Sequence, residues 1–284
     1  YSLKFPDELK IVGVAEPIDF RRKRFAEKYN IPKKNKWVTW EHALQHSKMA
    51  DVLIITTPDA LHHAPAMGGL ELGYDLLLEK AIGRNWNEVN DILQMTKKKN
   101  RIAGICHVLR YTNYYRNLKN VMDSGVLGDL LSIEHTEKLG MRHYTHSYIR
   151  GNWRTSKEAA PMLLAKSCHD LDILRWMIGK PCKYVSSFGS QTLFVEKNAP
   201  EGSAKRCTDG CKIEKECHLS ALKHYYQAKE RLNHLAIEHH DDASIYKALQ
   251  EGPFGRCVWH CDNDTVDHQV VNMEFEDEIT ASFT

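Results

Sequence analysis

Lys166, His169, Asp170 and Asp172 stand within seven residues of one another. Histidine, and a lysine that is partly buried, can exchange protons near neutral pH, and a carboxylate beside an imidazole can hold its tautomer. If Leu163 to Ile178 is helical, Lys166 and His169 share one face and could divide proton transfer and substrate orientation between them. The plainer alternative is a histidine that caps or packs a helix. Thiols form a second group. Cys207, Cys211 and Cys217 fall within eleven residues, and Cys257 follows some forty residues later. Four thiolates there could surround a tetrahedral structural zinc, although the spacing is not of the C-x2-C kind, and unlinked thiols are the alternative. His239 and His240 are adjacent and cannot share a helix face, so they read as solvated surface.

The elements that must position these residues alternate in the first half. Lys10 to Ala15 is an apolar, β-branched run before Glu16-Pro17, and the charged stretch Phe20 to Tyr29 follows as a helix. Asp51 to Thr57 is a second run, of a kind buried on both faces, stopped by Pro58 and followed by a helix from His62 to Leu72 with Gly73 at its end. Tyr74 to Lys80 precedes a helix over Trp86 to Lys99, and Arg101 to Ile105 ends at Cys106-His107. This pattern predicts a doubly wound parallel α/β sheet, whose ligands lie beyond the carboxyl ends of the strands. Glu16, Thr56-Thr57-Pro58, Glu79-Lys80 and His107 end those runs. A carboxylate at the position of Glu16 suits the ribose hydroxyls of a dinucleotide and would repel a 2′-phosphate, favouring NAD, although Arg21 and Arg22 could offset it. The alternative is a solvated acid opening a turn. No Gly-x-Gly-x-x-Gly occurs, and Tyr1 to Phe5 reads as the end of a helix, so a first βα unit is expected upstream.

Thr57-Pro58-Asp59 with His62, then Leu78-Glu79-Lys80-Ala81, then Lys166-Ser167-Cys168-His169-Asp170-Leu171-Asp172 together resemble the glucose-fructose oxidoreductase and inositol dehydrogenase family, Gfo/Idh/MocA. The resemblance implies an N-terminal Rossmann domain, an α/β domain on an open sheet, and NAD(P)-dependent oxidation of sugars, cyclitols or their derivatives. It implies that Lys80 touches the substrate hydroxyl near the nicotinamide, with Ala81 in place of the family's proline. It matches His169 to the histidine of the catalytic helix, where Ala165 departs from the aspartate that many members carry four residues earlier. Lys80, His169 and Lys166 are then the catalytic candidates, and Glu16, Thr57, Pro58, His62, Glu79 and His107 the dinucleotide contacts. Arg110, Tyr111, Trp153, Arg154 and Asp172 are candidates for the sugar pocket, where aromatic faces and arginine donors suit polyhydroxylated ligands. A solvated charge at Lys80 and surface or packing roles for the Arg and Trp residues are the alternatives.

From Leu130 the pattern changes to alternating runs at 131–137, 184–189, 268–275 and 279–284, the last two joined as a hairpin by Phe275 to Glu278. They predict a mostly antiparallel open sheet with one face exposed or paired to a partner copy, which the family commonly uses for dimer contacts. The chain stops within a strand-like run, so the far edge of this sheet is expected downstream. The expected division is 1–108 for the dinucleotide domain and 109–284 for the substrate and dimerisation domain, with a cysteine-containing insertion of little apolar content at about 197–256.

Length and composition set the outer limits. The 284 residues allow two domains, and 42% hydrophobic with 27% charged residues is globular. A net charge of +2 argues against nucleic acid or an anionic membrane as partner. No apolar stretch approaches the length of a membrane span, and eight cysteines are too few for a disulfide scaffold, so a cytoplasmic setting is expected. The resulting expectation is a homo-oligomeric NAD(P)-dependent oxidoreductase acting on CH-OH groups of a sugar-like or cyclitol substrate. Its rivals are NAD-dependent glycoside cleavage, and a ligand sensor on a dehydrogenase fold, which Ala165 and the missing glycine loop would suit.

Overall fold

The computed structural model describes residues 1–284, which divide into two compact units, Tyr1–Cys106 and His107–Thr284. In the first unit β1 (Val14–Ala15) leads to α1 (Asp19–Lys28), β2 (Lys36–Trp37) to α2 (Trp40–Leu44), and β3 (Val52–Ile55) to α3 (His63–Glu71). β4 (Asp75–Leu78), α4 (Trp86–Lys98) and β5 (Ala103–Ile105) complete it. All pairings are parallel, but the strands form a pair, β1-β2, and a separate three-stranded sheet, β3-β4-β5, and β2 is a strand the hydrophobic pattern did not announce. Two residues are too few to show a period. Residues 1–5 form a backbone turn, with the Phe5 N–H on the Tyr1 carbonyl at 2.7 Å, and not the end of a helix.

The three-stranded sheet has one packed face. Ile55, Leu76 and Leu78 are buried against Ala66 and Leu70 of α3 and Ile92 of α4, whereas Val52 and Ile54 are each 45% exposed. The continuous apolar run was expected to be buried on both faces; α3 and α4 cover only one. Asn85 caps α4 by accepting the Glu88 N–H at 3.1 Å, and Gly73, at φ +84°, ends the turn after α3.

The second unit contains α5 (Asn113–Asp123), β6 (Ser132–His135), the short α6 (Met141–Tyr144) and α7 (Met162–Ala165), then α8 (Cys168–Ile178) and β7 (Cys182–Ser190). After the insertion, which holds α9 (Asp242–Glu251), come β8 (His268–Phe275) and β9 (Thr280–Phe283). The sheet order is β6-β9-β8-β7, mixed, with β6 parallel to β9 and the other pairs antiparallel. Asp277 and Glu278, both at positive φ, turn β8 into β9 as the expected hairpin. Val271, Met273, Phe275, Ala281 and Phe283 pack on Leu174 and Ile178 of α8, and the opposite face, with all of β7, is exposed. The insertion is more apolar than expected: Ala221, Tyr225, Leu232, Ile245, Leu249 and Phe254 form a buried cluster of their own.

The helix expected over 163–178 is broken. Lys166 leaves the helical region at φ −126°, ψ −55°, and the Ser167 N–H reaches back to the Met162 carbonyl at 3.1 Å, so α7 stops and α8 starts afresh. Lys166 and His169 therefore do not share a continuous helix face.

Candidate active-site residues of the two units

In the first unit the parallel register brings three strand ends to one edge. The Glu79 N–H donates to the Ile55 carbonyl at 3.0 Å and the Cys106 N–H to that of Leu78 at 2.9 Å, so Thr56-Thr57-Pro58, Glu79-Lys80 and Cys106 lie side by side. Burial raises the Cys106 thiol, and the adjacent Glu79 carboxylate raises it further. Lys80 is half-buried, and its peptide bond to Ala81 is cis.

His62 is a correction to the expected dinucleotide contacts. It has no exposed surface; its Nδ1 lies 2.5 Å from the Ala81 carbonyl oxygen and its Nε2 2.8 Å from that of Thr57. It ties the turn after β3 to the turn after β4 and so holds the backbone beside Lys80 and at Thr57, with no surface exposed to receive a dinucleotide. Thr57 spends its hydroxyl on the Leu61 carbonyl at 2.9 Å.

Glu16 follows β1 and accepts the Ile18 N–H at 2.8 Å with Oε1. Arg22 donates to the Glu16 carbonyl at 2.6 Å and to Asp19 at 2.7 Å, which commits its guanidinium. A carboxylate after β1 has the chemistry to accept ribose hydroxyls of a dinucleotide. No glycine loop lies among the 284 residues, so none of them is assigned to the pyrophosphate.

In the second unit Asp172 is the hub. Its oxygens accept Arg110 Nε at 2.6 Å and Nη2 at 2.5 Å, and His107 Nδ1 stands 3.0 Å away. Burial pushes the carboxyl up, but the hydrogen bonds and charges of His107 and Arg110 outweigh it and hold Asp172 down at about 2. Its side chain is 10% exposed and both oxygens are engaged, so in this structure Asp172, expected at the sugar pocket, holds Arg110 and His107. Arg110 lies over the Trp176 ring at 5.8 Å. The His169 ring meets His107 edge-on at 5.9 Å, one helical turn from Asp172 on α8. Lys166 pairs with Glu137 at 2.9 Å and Asp170 with His135 at 2.8 Å.

Other candidates are not gathered here. Tyr111 is 69% exposed under Arg116, and Arg154 is held by Asp262 at 2.9 Å and by Glu158, which makes it a strut at the base of the insertion. Trp153 packs near Tyr148 at 6.2 Å. His239 and His240 are exposed. The pattern missed Glu137, His135 and Trp176. The first two were findable, since they lie at the carboxyl end of β6. All eight cysteines are free; burial raises the Cys217 thiol and pushes that of Cys257 up to about 11.

A parallel αβ unit with chemistry at its strand ends, followed by a mixed open sheet packed on one helix, defines a protein of dehydrogenase build. The chain belongs to the Gfo/Idh/MocA oxidoreductases: the family's NAD-binding Rossmann fold matches residues 2–107 and its C-terminal domain residues 115–284. It is 21% identical over 289 aligned residues to YteT of Bacillus subtilis, a protein named as an oxidoreductase, covering 99% of this chain and 66% of that one. It is 24% identical over 181 residues to inositol 2-dehydrogenase of Salmonella typhimurium, covering 63% of this chain and 50% of that one. The fold superposes on the WlbA dehydrogenase of Chromobacterium violaceum, solved with NADH and UDP-GlcNAcA, at TM-score 0.65 and 14% identity, over 99% of this chain and 61% of that one. For myo-inositol 2-dehydrogenase of Lactobacillus plantarum the TM-score is 0.63 at 14% identity, over 97% and 61%. The chain thus spans between half and two thirds of the length of these relatives.

Proposed function

We propose that the protein is an NAD(P)-dependent oxidoreductase acting on a hydroxyl-bearing carbon of a sugar-like or cyclitol substrate, in a reducing cytoplasm. The observation that carries this reading is the Asp172 hub, which fixes Arg110 and His107 as donors in the second unit with His169 edge-on beside them. Arginine and histidine donors next to an aromatic ring suit a ligand covered in hydroxyls. The bound nicotinamide supplies hydride acceptance or donation. The chain supplies proton transfer: Lys80 and His169 are the groups assigned to take the proton of the reacting hydroxyl, with Lys166, tied to Glu137, orienting substrate.

Glu16, Thr57, Pro58, Glu79 and His107 are assigned to the dinucleotide. NAD is favoured over NADP because the Glu16 carboxylate opposes a 2′-phosphate and Arg22 is committed to Asp19. A homo-oligomer formed through the open sheet face belongs to the same reading. The four-cysteine cluster has no part in hydride transfer, and its ion is a separate proposal.

The test is nicotinamide reduction by the full protein across a panel of cyclitols, aldoses and nucleotide sugars. Lys80→Ala and His169→Ala should each lower kcat by about 10²–10⁴ with dinucleotide binding retained. Absence of turnover on every substrate, with sugar binding that needs no nucleotide, points instead to a sensor.

A further inference from the structure

The second unit holds a small, partly open cavity that hydride chemistry does not use. Cys207, Cys211, Cys217 and Cys257 line it together with Arg150, and its volume is about 10 Å³. The fourth cysteine reaches the other three through backbone pairing. The Cys207 N–H donates to the Gly255 carbonyl and the Cys257 N–H to that of Lys205, both at 2.9 Å, around a bridge between Arg206 and Arg256.

Arg150 is the decisive neighbour. It is 1% exposed, and its guanidinium donates to the carbonyls of Arg256 and Leu219, both at 2.7 Å, with the Cys207 sulfur 3.9 Å from Nη2. No carboxylate forms an ion pair with it. A buried guanidinium without an anion is costly, by several kcal/mol per ion. Glu214 also lines the cavity but is tied to the Ser220 hydroxyl and makes no ion pair with Arg150, whereas the thiols, once ionised, would put negative charge beside the guanidinium. The backbone is arranged to receive such a charge. The Ala221 N–H donates to Cys207 Sγ at 3.3 Å, and the N–H groups of Leu219 and Trp259 stand beside the sulfurs of Cys217 and Cys257, each two residues along the chain. Ionised sulfur accepts such bonds better than a neutral thiol.

We propose that Cys207, Cys211, Cys217 and Cys257 bind one zinc ion as four thiolates, with Arg150 as their buried counter-cation. Four thiolates around a divalent ion leave a net charge of −2, which the guanidinium halves. Binding releases the four thiol protons to solvent and involves no change of oxidation state. The cavity holds about one water-sized sphere, which suits a single ion and not an iron–sulfur cluster. An all-sulfur tetrahedral set selects zinc among the common divalent metals. The side chains do not stand as a ligand shell in this structure, so the proposal requires the four sulfurs to turn about Cα–Cβ towards the ion. The ion ties the 207–217 loop to the chain just after α9, and this proposal is independent of the oxidoreductase reading.

The full protein purified without chelator should contain about one zinc per chain, released in step with mercurial titration of four thiols. Cys217→Ser should lower the zinc content more than tenfold. Cys182→Ser, on an exposed strand outside the cavity, should leave it unchanged. Because a cluster variant can fail to fold, the wild-type protein is also refolded with cobalt, where an intense visible spectrum of tetrahedral thiolate cobalt is expected. A well-folded protein that retains neither zinc nor cobalt overturns the proposal, and so does one that carries iron with acid-labile sulfide.

Discussion

Asp172 illustrates how one carboxylate organises two side chains, Arg110 and His107. Its depressed pKa has a definite consequence for stability. The group sits at about 2 in the native state against an ordinary 3.8, so its contribution is complete above about pH 4 and disappears as pH falls towards 2. At roughly 1.4 kcal/mol per unit this amounts to about 2 kcal/mol. Asp172→Asn should therefore lower the urea-unfolding free energy by about that much at pH 6, and the deficit should shrink between pH 4 and pH 2. A deficit that stays constant across that range means that Arg110 and His107 do not hold the charge. These partners also show the limit of sequence reading at this scale. Glu79, Lys80 and Thr57 were legible because each ends a short parallel run, whereas Arg110 and Asp172 are 62 residues apart and nothing in either neighbourhood announces the pair. Arg150 is the extreme case, a charged residue in no motif that ends up fully buried among thiols.

Elements with a clear period were legible, and those shaped by a single contact were not. The four strands of the second sheet and the helices α3 and α4 follow from alternation and from end signals such as Gly73. The break at Lys166 does not, because Met162 to Ala165 are good helix formers and no glycine or proline marks a stop there. The insertion depends on another such contact, the approach of Gly255 to the end of α9. A Cβ on Gly255 would lie 1.7 Å from the Leu249 carbonyl oxygen, which is backbone and cannot step aside. Gly255→Ala should therefore cost about 3 kcal/mol, seen as a lowered melting temperature together with faster proteolysis within 197–256. An unchanged melting temperature would show that this approach is not kept in solution. The carbonyl of Gly255 also accepts the Cys207 N–H, so the same substitution should loosen zinc retention.

For the whole molecule the open face of the second sheet sets the expectation. Register places Tyr184, Ser186 and Phe188 of β7 beside Glu274, Asn272 and Val270 of β8, away from the face that covers α8. Tyr184 is 67% exposed, Phe188 72% and Val270 40%, so aromatic and branched side chains form a patch on one face of an ordered sheet. Patches of that kind are uncommon on monomers and mark interaction surfaces. A net charge of only +2 leaves little long-range repulsion between copies, so apolar contact at this face can bring them together. The full protein should sediment as a dimer or a multiple of one at micromolar concentration, and Phe188→Glu should shift it to monomer. Glu at this position faces solvent in the monomer, so the melting temperature of the isolated chain should hardly change. If the wild-type protein is a monomer at those concentrations, or if Phe188→Glu leaves its mass unaltered, the open face is not the interface. A monomeric variant that still reduces the nicotinamide at the wild-type rate would further show that assembly through this sheet is separable from the proposed hydride transfer.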